Sequence, residues 1–157
     1  MWGEHGIRRK RHAYTQSVSV PFYARWPGVI SAGLTDSRIV GVLDVPVTIM
    51  DAVDIEPSDP MDGRSMLTDE SRDRILLEFF GEQGVPSWAG LRTRRYQYIE
   101  YYRIDGTTSF REYYDLNNDP WQLVNLLHDG DPDNNPDTTR TGARLQADRR
   151  CRAATCP

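Results

Sequence analysis

The sequence predicts an α/β fold in two parts. Residues 1–65 read as the edge of a larger α/β domain, and residues 66–157 as a small antiparallel sheet packed with a helix. Three observations predict this. An early β-branched and aromatic run is followed by an Asp-x-Pro helix start at residue 44. Four strand-like runs crowd between residues 74 and 116 with an Asp-Gly turn among them. The hydrophobic share, with Tyr and without Gly, is 38%, and exchanging the 8 Tyr for the 12 Gly gives roughly 41%, a little under the usual ~45–50%. A core of that size suits a part of a larger body.

Residues 18–26 (VSVPFYARW) predict a strand, stopped by Pro27-Gly28. Pro21 inside the run confines it to an edge or to a strand beginning there. Residues 37–42 add a short extended piece. Asp44 is positioned to cap a helix over 45–53, with Pro46 in its first turn and Val47, Ile49, Met50 and Val53 as its apolar positions. Residues 56–69 are a polar loop. Strands follow over 74–80 (RILLEFF), 88–94, 96–102 (YQYIEYY) and 110–116 (FREYYDL), the last two joined through Asp105-Gly106. Asp119-Pro120 predicts a short helix over 120–127, residues 128–142 a polar loop, and residues 143–152 a final helix.

The net charge of −4 argues against a nucleic-acid partner. No run of about 18 apolar residues occurs, so no membrane span is expected, and no apolar signal-peptide segment stands at the N-terminus. Cys151 and Cys156 are too few for a four-ligand zinc site. Composition leaves them either paired in a small disulfide loop or free as two thiols. The Asp129-Gly-Asp131-Pro-Asp133 segment has calcium-loop spacing, but its twelfth position is Arg140, so a solvated acidic loop is expected. The tyrosines at 96, 98, 101, 102, 113 and 114 either pack across a sheet or offer a stacking surface for sugars or bases.

The basic run Arg8-Arg9-Lys10-Arg11-His12 reads, by itself, as a solvated loop or a polyanion patch. Its context adds a resemblance. A Gly-Glu-His loop precedes Lys10, Tyr14 follows, then Val20-Pro21-Phe22 and Trp26-Pro27-Gly28. Farther on stand Asp44-Val-Pro46-Val-Thr48, Asp62-Gly63-Arg64-Ser65-Met66, Arg92 to Tyr98 (RTRRYQY), Tyr113-Tyr114-Asp115-Leu116, Asn118-Asp119-Pro120 and Asn125-Leu126. In this order and spacing, residues 3–127 resemble the C-terminal portion of the sulfatases of the alkaline phosphatase superfamily.

The resemblance implies hydrolysis of sulfuric esters, with residues 1–65 as the end of the catalytic α/β domain and 66–157 as the C-terminal subdomain. It puts sulfate contact on Lys10, whose compact ammonium suits sulfate oxygens, and a site role on His5, for which a plain surface histidine is the alternative. Trp88 and Arg92 become substrate-binding candidates. For the full-length family it implies Ca²⁺ and a formylglycine made from a C/S-x-P-S-R motif. This chain has no such motif, and the Asp-Asn-Gly metal segment is expected upstream of Gly3. No metal ligand and no cofactor is therefore assigned to the chain itself. The expectation is a C-terminal part, inactive alone, whose partners are an N-terminal companion fragment and a sulfated small molecule or glycan. The alternative is a stand-alone binding module derived from such a gene. Family export would favour a Cys151–Cys156 disulfide, while localisation of the chain stays open.

Overall fold

A computed structural model describes residues 1–82 and 84–157, with Ala154 described by its backbone alone. Four strands form one antiparallel meander in the order β1-β2-β3-β4: β1 is Arg74–Phe79, β2 Trp88–Thr93, β3 Tyr96–Tyr102 and β4 Thr108–Asp115. The expected strand positions therefore hold, with ends shifted by a residue or two. Alternation along each strand makes two faces. Ala89, Leu91, Tyr98 and Tyr102 pack with Leu145 on one, and Trp88, Ile99 and Tyr114 with Ala13 on the other.

Among the described residues three α-helices accompany the sheet: α1 (Thr15–Val18), α2 (Asp44–Ala52) and α3 (Thr139–Asp148). α3 begins earlier than its sequence predicts, because Gly142 does not end it. Gly142 lies inside the helix over β3, where a Cβ would make ordinary contacts with Glu100 Oε1 at 3.5 Å and Tyr98 Oη at 3.6 Å. Leu145 is then fully buried, and Arg74 grips Asp148 through two hydrogen bonds of 2.7 and 2.9 Å. Among the described residues no helix is long and apolar enough to cross a membrane.

Three local expectations are corrected. Residues 18–26 form no strand: the chain makes the single turn of α1 and then runs on without a ladder partner among the described residues. Val20, Phe22 and Tyr23 of this run stay exposed. Residues 120–127 form turns, not a helix. Gln122 sits at φ 59° with its side chain buried, and Asp119 accepts a hydrogen bond from the Val124 N–H at 2.8 Å instead of capping a first turn. Asn125 then lines the segment along β4, accepting from the Tyr113 N–H at 3.0 Å and donating to the Arg111 carbonyl at 3.1 Å, which covers that sheet edge. Asp44 does not cap α2 either. Its buried carboxylate accepts from the Gly41 and Arg64 N–H groups at 2.7 and 2.8 Å and from Arg72 at 2.6 Å, tying three segments together.

Candidate functional site

The loop that carries His5 and Lys10 is built against one face of the sheet. Ala13 is fully buried there, and its carbonyl accepts a hydrogen bond from the Gln97 side-chain amide. Gln97, fully buried in β3, is the hub of a polar network. Its Oε1 accepts from Arg92 Nη1 at 2.7 Å and from Gln122 Nε2 at 3.1 Å. Arg92 also donates to Thr15 Oγ1 at 2.8 Å, and Gln122 Oε1 accepts from the Thr15 N–H at 2.7 Å and its hydroxyl at 2.8 Å. Every member is satisfied, which is what a buried polar network needs to fix one arrangement. Burial holds the Arg92 guanidinium below its ordinary pKa.

Trp88 secures the next stretch. It is 4% exposed, and its indole N–H donates to the Arg11 carbonyl at 2.8 Å. Arg11 reaches Glu82 at 3.6 Å. The residues on either side of Lys10 are both left-handed, Arg9 at φ 79° and Arg11 at φ 99°, and His5 sits at φ 55°. Such backbone costs about 1–3 kcal/mol per residue and persists where surroundings impose it, often at functional sites. Lys10 itself is exposed and lines neither the cleft beside Arg94, Arg95 and Arg144 nor the small cavity beside Asp44 and Arg72. Among the described residues no hydrogen bond or ion pair engages its ammonium.

His5 stacks on Tyr14 with ring centroids 4.0 Å apart and planes 9° from parallel. Its Nε2 is buried and without a hydrogen-bond partner among the described residues. Behind Tyr14 lies Glu112, which accepts from the Tyr14 and Tyr101 hydroxyls, each at 3.1 Å. Burial raises the Glu112 carboxyl above its usual range, with these hydroxyls opposing the shift. Burial and the same carboxylate push Tyr14 up to about 12. The opposite face carries a matching group: Glu100 accepts from Tyr98 at 2.7 Å, Tyr102 at 3.0 Å and Gln146 at 3.1 Å. Most of the tyrosine run is thus spent on sheet packing and on these two carboxylates.

Of the residues singled out from sequence, the structure brings Lys10, His5, Trp88 and Arg92 onto one side of the sheet. It spends the polar atoms of Trp88 and Arg92 on the loop and its root. The Gln97–Gln122–Thr15 network was not identified from sequence as part of the site. Its signal was the glutamine between two tyrosines in RTRRYQY, a polar residue at an inward strand position. Cys151 and Cys156 are joined by a disulfide, and the turn they close meets the 62–64 loop through Ala153 N–H to Asp62 at 2.6 Å and Arg64 to the Cys156 carbonyl at 3.0 Å.

Residues 3–147 match the family described as N-sulphoglucosamine sulphohydrolase, C-terminal. The chain belongs to the sulfatases. It is 32% identical over 136 residues to human arylsulfatase K, a match covering 78% of this chain and 25% of that protein. It is 29% identical over 138 residues to an N-acetylglucosamine-6-O-sulfatase of Bacteroides thetaiotaomicron, covering 80% and 24%. A solved structure described as a complex with its substrate D-glucosamine-2-N,6-O-disulfate superposes with a TM-score of 0.74 at 25% identity, over 92% of this chain and 30% of that one. The chain thus spans about a quarter of the length of these sulfatase relatives and has the α/β fold of their C-terminal portion.

Sulfatases use calcium, and the residues described here do not assemble a cradle for it. No three His, Cys, Asp or Glu side chains converge on a common point among them. The carboxylate closest in sequence to the Lys10 loop, Glu4, is occupied by the Trp2 N–H at 2.5 Å. The Asp129–Asp133 segment spends two of its carboxylates on its own turns, Asp129 accepting from Asp131 N–H and Asn134 and Asp131 from Asp133 N–H.

Proposed function

We propose that this chain is the C-terminal part of a sulfuric ester hydrolase acting on a sulfated glycan or small molecule, and that it contributes Lys10 to the grip on sulfate. The observation that carries the reading is the Lys10 loop. Two left-handed residues flank an ammonium with no partner among the described residues, and the loop is held from beneath by Trp88 and by the Gln97 network. Such an ammonium on a firmly rooted loop suits an anion supplied from outside. At ~4 Å from a sulfate oxygen its attraction is about 1 kcal/mol in water and ~4 kcal/mol at an effective dielectric near 20. Trp88 and Arg92 then act as positioning residues for the loop. His5, stacked on Tyr14 with an unsatisfied nitrogen, is placed to meet substrate or a neighbouring segment.

The chain is inactive alone in this reading, because it carries no C/S-x-P-S-R nucleophile motif and no calcium cradle among the described residues. An N-terminal companion fragment would supply both. The exposed apolar side chains of the 20–55 stretch, among them Phe22, Tyr23, Leu34, Val42 and Ile49, support the placing of such a body there. The domain boundary near residue 65 is proposed on the switch from that stretch to the sheet at Arg74. The relatives named for action on glucosamine sulfates support a sulfated glycan as substrate.

The test is aryl sulfate hydrolysis by the purified chain. No turnover is expected. Turnover by the chain alone would refute the assignment of the nucleophile and metal to a companion.

A further inference from the structure

Across the sheet from the Lys10 loop, a cleft of about 610 Å³ opens where the β2–β3 turn meets α3 and the 126–136 segment. Three guanidinium groups line it, Arg94 and Arg95 on the turn and Arg144 on α3. Arg94 and Arg95 are exposed, and no ion pair or side-chain hydrogen bond engages either among the described residues. Arg144 is only loosely held, 4.0 Å from Asp73. The wall beside them is the stacked pair Tyr96 and Tyr113, with centroids 5.2 Å apart and planes 13° from parallel. Asp73 and Asp115 complete the lining with carboxylates. The volume lies within the ~300–1,000 Å³ range of ligand sites.

We propose that this cleft is a second binding site, separate from the sulfate-contacting loop, and that it holds a sulfated polysaccharide: Arg94, Arg95 and Arg144 take sulfate groups while the Tyr96–Tyr113 pair packs against a sugar ring. Guanidinium forks match sulfate oxygens two at a time, and an aromatic wall offers an apolar surface to the C–H face of a pyranose. The two carboxylates are already engaged, Asp115 accepting from the Asn117 N–H and the Asn118 amide and Asp73 from Arg74, so the anion-binding wall is the three guanidinium groups. The choice of a sulfated glycan among polyanions rests on the preceding functional reading, but the site itself does not use Lys10.

The experiment is isothermal titration of the 157-residue chain with a heparin oligosaccharide, with the same oligosaccharide fully desulfated, and with a single-stranded oligonucleotide. Heparin binding is expected to exceed both others and to weaken by roughly tenfold or more in the double variant Arg94→Ser/Arg95→Ser, two exposed positions whose change leaves the circular dichroism spectrum intact. The same weakening by the arginine double variant is expected in a Lys10→Ala background, which removes the loop's own share of heparin binding. The proposal is overturned by absent heparin binding, by equal binding of the desulfated sugar or the oligonucleotide, or by unchanged affinity in the arginine double variant. Loss in Lys10→Ala with none in the double variant would also overturn the cleft site, while leaving the sulfate role of the loop standing.

Discussion

Replacing Gln97 by Leu should destabilise the chain far more than its near-equal volume suggests. Gln97 is fully buried and bridges three partners: the Ala13 carbonyl, Arg92 Nη1 and Gln122 Nε2. Leucine leaves the Ala13 carbonyl and the Gln122 amide unpaired, while Arg92 keeps Thr15 Oγ1. Each buried group left unpaired costs ~1–3 kcal/mol. The added apolar burial returns ~1–2 kcal/mol, so the net loss centres on about 2–3 kcal/mol. Thr15→Val is the internal comparison. It removes one hydroxyl, but Gln122 Oε1 keeps the Thr15 N–H and Arg92 keeps Gln97, so its cost stays under about 1.5 kcal/mol. Urea unfolding followed by circular dichroism measures both. A Gln97→Leu loss no greater than that of Thr15→Val would refute the hub role and the account of what roots the Lys10 loop.

Two further outcomes follow from the same packing. A Cβ at Gly63 would lie 2.1 Å from the Leu43 carbonyl oxygen, so Gly63→Ala must shift backbone and is expected to lower stability by about 1–3 kcal/mol in thermal or urea unfolding. Tyr14 and Tyr102 are each pushed up to about 12 by burial and by their glutamate neighbours, whereas an unfolded tyrosine ionises near about 10. Folding therefore holds these protons more tightly, so their contribution is fully present below about pH 10 and is lost as the pH rises through about 12. Alkaline unfolding tracked together with phenolate absorbance checks this, and Tyr102→Phe should move the transition to higher pH.

Much of the sheet was legible in the sequence because its signals are local. Tyr96 to Tyr102 alternates between two buried faces, and Asp105-Gly106 supplies the turn. α2 was legible through Pro46, although Asp44 serves a tertiary junction with Arg64 and Arg72 instead of its own helix end. What failed depended on distant partners. Residues 18–26 have strand composition, but a strand needs a neighbour, and none of the described residues provides one. Residues 120–127 have a helix start, but Gln122 is drawn to Thr15 and Gln97 into a left-handed conformation. α3 starts early, running through a glycine that looks like a stop and lies over β3 beside Glu100 and Tyr98. The Lys10 loop was visible as a motif. Its root was not, because contacts such as Thr15–Gln122 span more than 100 residues, and neither glutamine carries a charge to attract notice.

The central claim is that Lys10 grips sulfate once the missing part of the site is supplied. The most direct measurement mixes the chain with an N-terminal companion bearing the C/S-x-P-S-R and Asp-Asn-Gly motifs and compares kcat/KM on an aryl sulfate for the parent and Lys10→Ala. The account predicts activity only in the mixture and a loss of roughly fivefold to a thousandfold in Lys10→Ala, the range spanned by ~1–4 kcal/mol. Equal kcat/KM for the two mixtures would contradict it.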